Sequence, residues 1–186
     1  MQQSNLFAEL IPAFLELVEP LSADDLERPT PCTDWNVRDL LDHMTGGAIT
    51  FAAALRDEPT REDTRDVRVA IGDALRGFAA AVETPGATER MIDDLPFGPM
   101  NGAELARYAA FDLLMHTWDL SLATAMTLEL PQPVVDEVDS WARRWLVEDF
   151  RRPGMFAPAT EAPGTASPLE RLVAFSGRDL GWSPGG

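Results

Sequence analysis

Lysine is absent from this chain: all 15 basic residues are arginine, set against 31 acidic ones, for a net charge of −16. Such a balance repels phosphate backbones. The adjacent pairs Arg143-Arg144 and Arg151-Arg152 are too short to make a basic patch, so no nucleic-acid partner is expected. A single cysteine, Cys32, excludes an internal disulfide framework and fits a reducing, cytoplasmic setting. No apolar run approaches the roughly 18 residues of a membrane span, so no membrane partner is expected. The opening Met1-Gln-Gln-Ser-Asn5 lacks the charged and apolar regions of a signal peptide. There is no internal repeat and no alternating run long enough to build a sheet. Histidine is scarce too, with only His43 and His116, so any histidine chemistry must use these two.

What is present reads as helix. The 186 residues, 45% apolar and 25% charged, fit one globular domain or one domain with a small appendage. Leu6, Phe7, Leu10, Ile11, Phe14, Leu17, Val18 and Leu21 recur at steps of three and four, an amphipathic helix broken near Pro20 and briefly restarted at Ser22. Pro29-Thr-Pro-Cys-Thr-Asp34 is a rigid loop, because two prolines fix φ and disfavour helix before them. Asn36 caps a second helix, with Asp39 completing a capping box, and this helix ends near Pro59. Gly46-Gly47 inside it weakens the helix, which predicts a bend or the close approach of a backbone or ligand. A third helix is expected from Asp63 to Val82, and a Pro/Gly-rich connection from Met91 to Gly102 with an extended piece. A fourth is expected from Ala103 to Ala125, a fifth from Gln132 to Asp149, and a short one from Leu169 to Ser176 after an irregular tail. The pattern predicts an all-α bundle over residues 1–150 and, over 151–186, a tail whose short helix packs on it.

One stretch carries the chemistry. Asp112-Leu-Leu-Met-His116 places a carboxylate and an imidazole at i and i+4, on one face of a helix and able to grip one ion. His43, on the second helix, is the available third ligand. Three protein ligands leave positions open for water or substrate, the pattern of a catalytic metal site. The competing reading makes each histidine a core or boundary residue. Asp39, four residues before His43, is better explained as the capping-box acid. The paired Glu-x-x-His pattern of a di-metal carboxylate bundle is absent. Cys32 is a second candidate, a thiol nucleophile at a helix entrance, against its plainer role as a small packing residue. The tryptophans read as packing, with Trp118 assigned to the wall of a cofactor pocket because of its neighbours. Asp119, three residues beyond His116, reads either as the acceptor of an imidazole N–H behind a metal or as a solvent-facing charge.

These segments resemble a known family. Pro29-Thr-Pro-Cys-Thr-Asp-Trp-Asn-Val-Arg-Asp-Leu-Leu-Asp-His43 is similar to the opening motif of the mycothiol-dependent maleylpyruvate isomerase N-terminal domain, within the DinB-like metalloenzyme superfamily. Phe111-Asp-Leu-Leu-Met-His-Thr-Trp-Asp-Leu120 is similar to its second motif, and Ser167-Pro-Leu-Glu-Arg-Leu-Val-Ala-Phe-Ser-Gly-Arg-Asp179 to the ending of its short actinobacterial members. The resemblance implies a four-helix bundle with up-down-down-up connectivity, followed by the additional helix and tail. It implies one divalent ion on His43, Asp112 and His116, Zn²⁺ first, with Ni²⁺, Mn²⁺ or Fe²⁺ as alternatives. It also implies a low-molecular-weight thiol such as mycothiol as co-substrate, used on a small electrophile for transfer or isomerisation. The isomerase has glutamate where this chain has Asp112, and it carries a separate C-terminal domain for which the segment after Asp149 is too short. The expectation is therefore the general thiol chemistry. Metal-assisted hydrolysis, a non-catalytic metal- or ligand-binding bundle, and an Fe(II) oxygenase are the rival readings. A homodimer is an open expectation.

Overall fold

The computed structural model describes residues 3–146, 150–151 and 156–184. Helix α1 (Gln3–Val18) holds Pro12 on its exposed side and stops before Pro20, and a short 3-10 turn follows at Asp24–Glu27. Helix α2 (Val37–Arg56) begins at the expected capping box. The Asn36 side chain accepts from the Asp39 N–H, and the Asp39 carboxylate accepts from the Asn36 N–H. Such a cap is worth about 1 kcal/mol. It also occupies Asp39 at the helix start.

Helix α3 (Val67–Val82) starts four residues later than its apolar pattern suggests. Asp66 is the cap, while the Asp63 carboxylate accepts from the Arg65 backbone and guanidinium, which holds that turn out of the helix. The connection that follows contains a minimal antiparallel pair, β1 (Met91–Ile92) and β2 (Met100–Asn101). Helix α4 (Gly102–Thr124) opens at a second capping box, Asn101 with Glu104. Gly102 is required there: a Cβ would collide with the Ala87 carbonyl. Helices α5 (Gln132–Trp145) and α6 (Pro168–Phe175) complete the order. Val147–Asp149, expected to end the fifth helix, lie outside the described residues, as do 152–155 of the irregular tail.

Helix α2 packs against α3, and α1 against α3 and α4; α4 also touches α2, α3 and α5, and α6 packs on α5. The core between them is filled by fully buried Leu10, Phe14, Leu40, Phe111 and Leu114. Truncating any such residue to alanine costs about 2–5 kcal/mol. Between Ala110 and Ser121 of α4 every residue is buried except Asp112. The hydroxyls on that stretch bond back to the helix, Thr117 to the Leu113 carbonyl and Ser121 to that of Trp118. Helix α4 is the central strut, and along this stretch Asp112 is its one opening to the outside.

Candidate metal centre

Two helices and one loop position the site. His43 lies two turns into α2, and Asp112 and His116 lie one turn apart on α4. Packing of α2 on α4 brings the three together: His43 Nε2 is 3.6 Å from Asp112 Oδ2, and His116 Nε2 is 3.5 Å from Asp112 Oδ1. The two imidazole centroids are 5.1 Å apart. One ligand atom from each of the three falls within 4.8 Å of the others. Exposure is graded, with side chains 42% exposed at His43, 17% at Asp112 and 8% at His116.

These distances fit an ion. They are too long for good N–H···O hydrogen bonds, which cluster near 2.9–3.0 Å. Each has the length of a ligand–ligand edge around Zn²⁺, roughly 3.3–3.6 Å for ligands about 2.0–2.2 Å from the ion, and the two run to the two different oxygens of Asp112. Two imidazoles and a carboxylate are also a chemically apt donor set for a divalent transition ion.

The far side of the His116 ring is held differently. Its Nδ1 stands 2.9 Å from Asp119 Oδ2. Arg178 clamps the same carboxylate from the tail, Nε to Oδ1 at 2.8 Å and Nη2 to Oδ2 at 2.7 Å. The Cys32 thiol donates to Asp119 Oδ2 at 3.2 Å and lies 3.8 Å from His116 Nδ1. Arg178 is aimed by the turn after α6, where Gly177 takes φ +93° against the Ala157 carbonyl and Ser176 Oγ accepts from Arg178 Nη1.

Burial opposes charge on Asp119, but the Arg178 guanidinium and then His116 outweigh it and hold its carboxyl well below the usual range. An ionised Asp119 only accepts, so His116 Nδ1 carries a proton and Nε2 is the nitrogen left to face Asp112 and His43. Burial likewise opposes charge on Asp112, and His116 and then His43 overcome it, lowering that carboxyl too. Burial works against an imidazolium at His116, yet Asp112 and then Asp119 raise its pKa well above the ordinary value. Without a metal, the two carboxylates favour the imidazolium form of His116.

The loop ahead of α2 supplies the lid on the rings. Pro29 bridges Asn36, Thr30 N–H and Oγ1 both donate to the Trp35 carbonyl, and Asp34 takes a left-handed φ of 67°. The turn sets the Trp35 indole over both imidazoles, with centroids 4.8 Å from His43 and 5.9 Å from His116. Trp118 instead packs into the core at 7% exposure. The structure places the indole of Trp35, not that of Trp118, against the histidines; Trp118 follows His116 by two residues, about 200° around the helix. Tyr108, one turn before Asp112, has its phenol pushed up by burial and then by the Asp112 charge, so it stays protonated. The sequence reading also passed over Arg178, which no spacing rule links to a residue so distant in the chain.

A helical bundle with a cluster of candidate metal ligands drawn from facing helices is the class that fold and site define. The chain belongs to the mycothiol maleylpyruvate isomerase N-terminal domain family, whose model matches residues 7–121. It is 33% identical over 173 residues to uncharacterised proteins from two strains of Mycobacterium tuberculosis, covering 90% of this chain and 93% of each relative. Among solved structures it is similar to a DinB-like protein from Bacillus subtilis, with a TM-score of 0.57 and 22% identity over 70% of this chain and 96% of that one. That likeness supports the all-α, DinB-like fold.

Proposed function

We propose that the chain is a divalent-metal-dependent enzyme that uses a low-molecular-weight thiol of the mycothiol type to transfer or isomerise a small electrophilic substrate. The observation that carries the reading is the convergence of His43, Asp112 and His116 at ligand spacing, in a family defined by a mycothiol-dependent enzyme. His43, Asp112 and His116 would hold the ion, with Zn²⁺ the first choice for this donor set. Bound there, it supplies a Lewis acid that keeps a coordinating thiol ionised at neutral pH. The protein's own residues do the rest. Asp119 keeps the proton on His116 Nδ1, which leaves Nε2 as a ligand of fixed orientation. Arg178 fixes Asp119. Trp35 covers the rings from the loop side, and the exposed edge of His43 leaves the approach for thiol and substrate. Residues 1–150 form the catalytic unit in this reading, and 151–186 complete it by delivering Arg178. A cytoplasmic setting, where thiols stay reduced, suits the chemistry.

The test has two stages. Tag-free protein is analysed for metal after incubation with Zn²⁺, Ni²⁺ or Mn²⁺, beside His116→Ala. One equivalent in the wild type and none in the variant is expected; no stoichiometric metal in the wild type overturns the reading. The loaded protein is then assayed for conjugation or isomerisation with a panel of thiols and electrophiles. Turnover above the protein-free control is expected, and its absence for every pair favours a metal-binding bundle without catalysis.

A further inference from the structure

Gly46-Gly47 has no packing reason. Each glycine lowers helix propensity in the middle of α2, and a Cβ at either would meet nothing within 4 Å. Neither adopts a φ that only glycine favours. The sequence led us to expect a bend or the close approach of a backbone or ligand; no other part of the protein comes within 4 Å of a Cβ at either position. Gly47 is half-buried and stands one turn beyond His43, on the same face of α2.

Gly47, unlike the exposed Gly46, borders a slot between the four packed helices. Its walls are Phe7 of α1, Phe51 of α2, Leu75 and Phe78 of α3, and Leu113 and Asp112 of α4. Asp112 is the only ionisable residue in the lining, and it is shared with the metal centre. The empty volume is about 320 Å³ counting the part open to solvent, but the free interior is only about 20 Å³. An interior of that size holds about one water or one methyl group.

We infer that this slot is the subsite for a short, unbranched apolar end of a ligand whose reactive group sits at the metal centre, with Gly47 keeping it open. The inference rests on the metal reading and adds the substrate class: a small molecule whose unbranched chain ends in one methyl group that enters the slot, not a branched or polar end. An apolar end gains from leaving water. A hydroxyl in the same place would be buried against aromatic rings, with the Asp112 carboxylate, itself engaged at the metal centre, as its one ionisable neighbour in the lining.

The test is NMR of protein carrying ¹³C-methyl methionine, since the Met44 side chain lines the slot. The probes are 1-propanethiol, its polar isostere 2-mercaptoethanol, and 2-methyl-2-propanethiol, titrated into zinc-loaded and zinc-free protein. In the zinc-loaded wild type, 1-propanethiol is expected to shift the Met44 methyl and to bind at least tenfold tighter than either competitor. Gly47→Leu is expected to reduce that preference to within twofold while retaining one zinc per chain. Gly47→Ala is expected to raise the melting temperature, which shows that the glycine is not kept for folding. Equal affinity for the three thiols at the loaded metal, with Met44 unmoved, overturns the slot and leaves the metal reading standing. Failure to take up zinc, with Met44 still shifted selectively by 1-propanethiol, supports the slot and overturns the metal reading. Neither zinc uptake nor a selective Met44 shift overturns both.

Discussion

Two clusters of possible metal ligands share the His116 ring, and they are built in opposite ways. On the Nε2 side, His43 and Asp112 stand 3.5–3.6 Å from their neighbours and are partly exposed. On the Nδ1 side, Asp119 is fully buried and its oxygens are taken up by His116, Arg178 and Cys32 at 2.7–3.2 Å. Both offer three ligand atoms within 4.8 Å. The first has unspent acceptor capacity and an exposed outer ligand in His43; the second is half-open at Cys32, with its carboxylate oxygens already engaged. The second already holds a cation in Arg178, which opposes a metal ion by like charge. Proximity of ligand-type residues is therefore a weak criterion; stretched contacts, open exposure and the absence of a resident cation separate a binding site from a buttress.

The comparison can be broken at its hinge first. His116→Ala removes the residue common to both sides, and zinc affinity is expected to fall by well over the roughly 100-fold that outer partners command. Isothermal titration reads this, and retained stoichiometric binding would dissolve the distinction. Arg178→Met acts only on the buttress. It strands a buried carboxylate, so unfolding in urea should show a loss of about 3–5 kcal/mol, with zinc binding weakened about 10–100-fold through the loosened His116.

The pH response sharpens the comparison further. The raised pKa of His116 means that its imidazolium stabilises the metal-free fold fully below the ordinary histidine value and loses that contribution as pH climbs through the folded value. The lowered carboxyls of Asp112 and Asp119 act oppositely, stabilising above the ordinary carboxylate value and losing effect as pH falls toward their folded values. Zinc needs His116 Nε2 free, so the rise in melting temperature on adding zinc should widen between pH 6 and pH 9. Calorimetry at several pH values checks it. The smallest effect belongs to Cys32→Ser, expected to cost less than about 1 kcal/mol and to change zinc affinity less than about twofold. A larger loss of affinity would move the ion to the other side of the ring.

The local parts of this arrangement were legible in the sequence. Asn36 with Asp39 announces the start of α2, and the i, i+4 spacing of Asp112 and His116 puts both on one face of α4, because both signals depend on a single helical turn. Asp119 at i+3 was open to either a buried or a solvent-facing reading. The tertiary parts were hidden. Arg178 reaches Asp119 only after α5 and α6 have folded back over the bundle. Trp35 reaches the histidines because a hydrogen-bonded loop folds over them, a geometry no periodicity encodes. Trp118 shows a signal that was available: an offset of two on a helix points away from the site. The late start of α3 reflects Asp63 spending its carboxylate on Arg65, a local competition that an apolar pattern does not register.

The central claim is that the ion sits on the His43 side of His116. X-ray absorption at the zinc edge, on zinc-loaded protein with no thiol added, tests it directly. The account predicts a shell of nitrogen and oxygen only, at about 2.0–2.1 Å, with imidazole outer-shell scattering. A sulfur at about 2.3 Å would place the metal against Cys32 and contradict it.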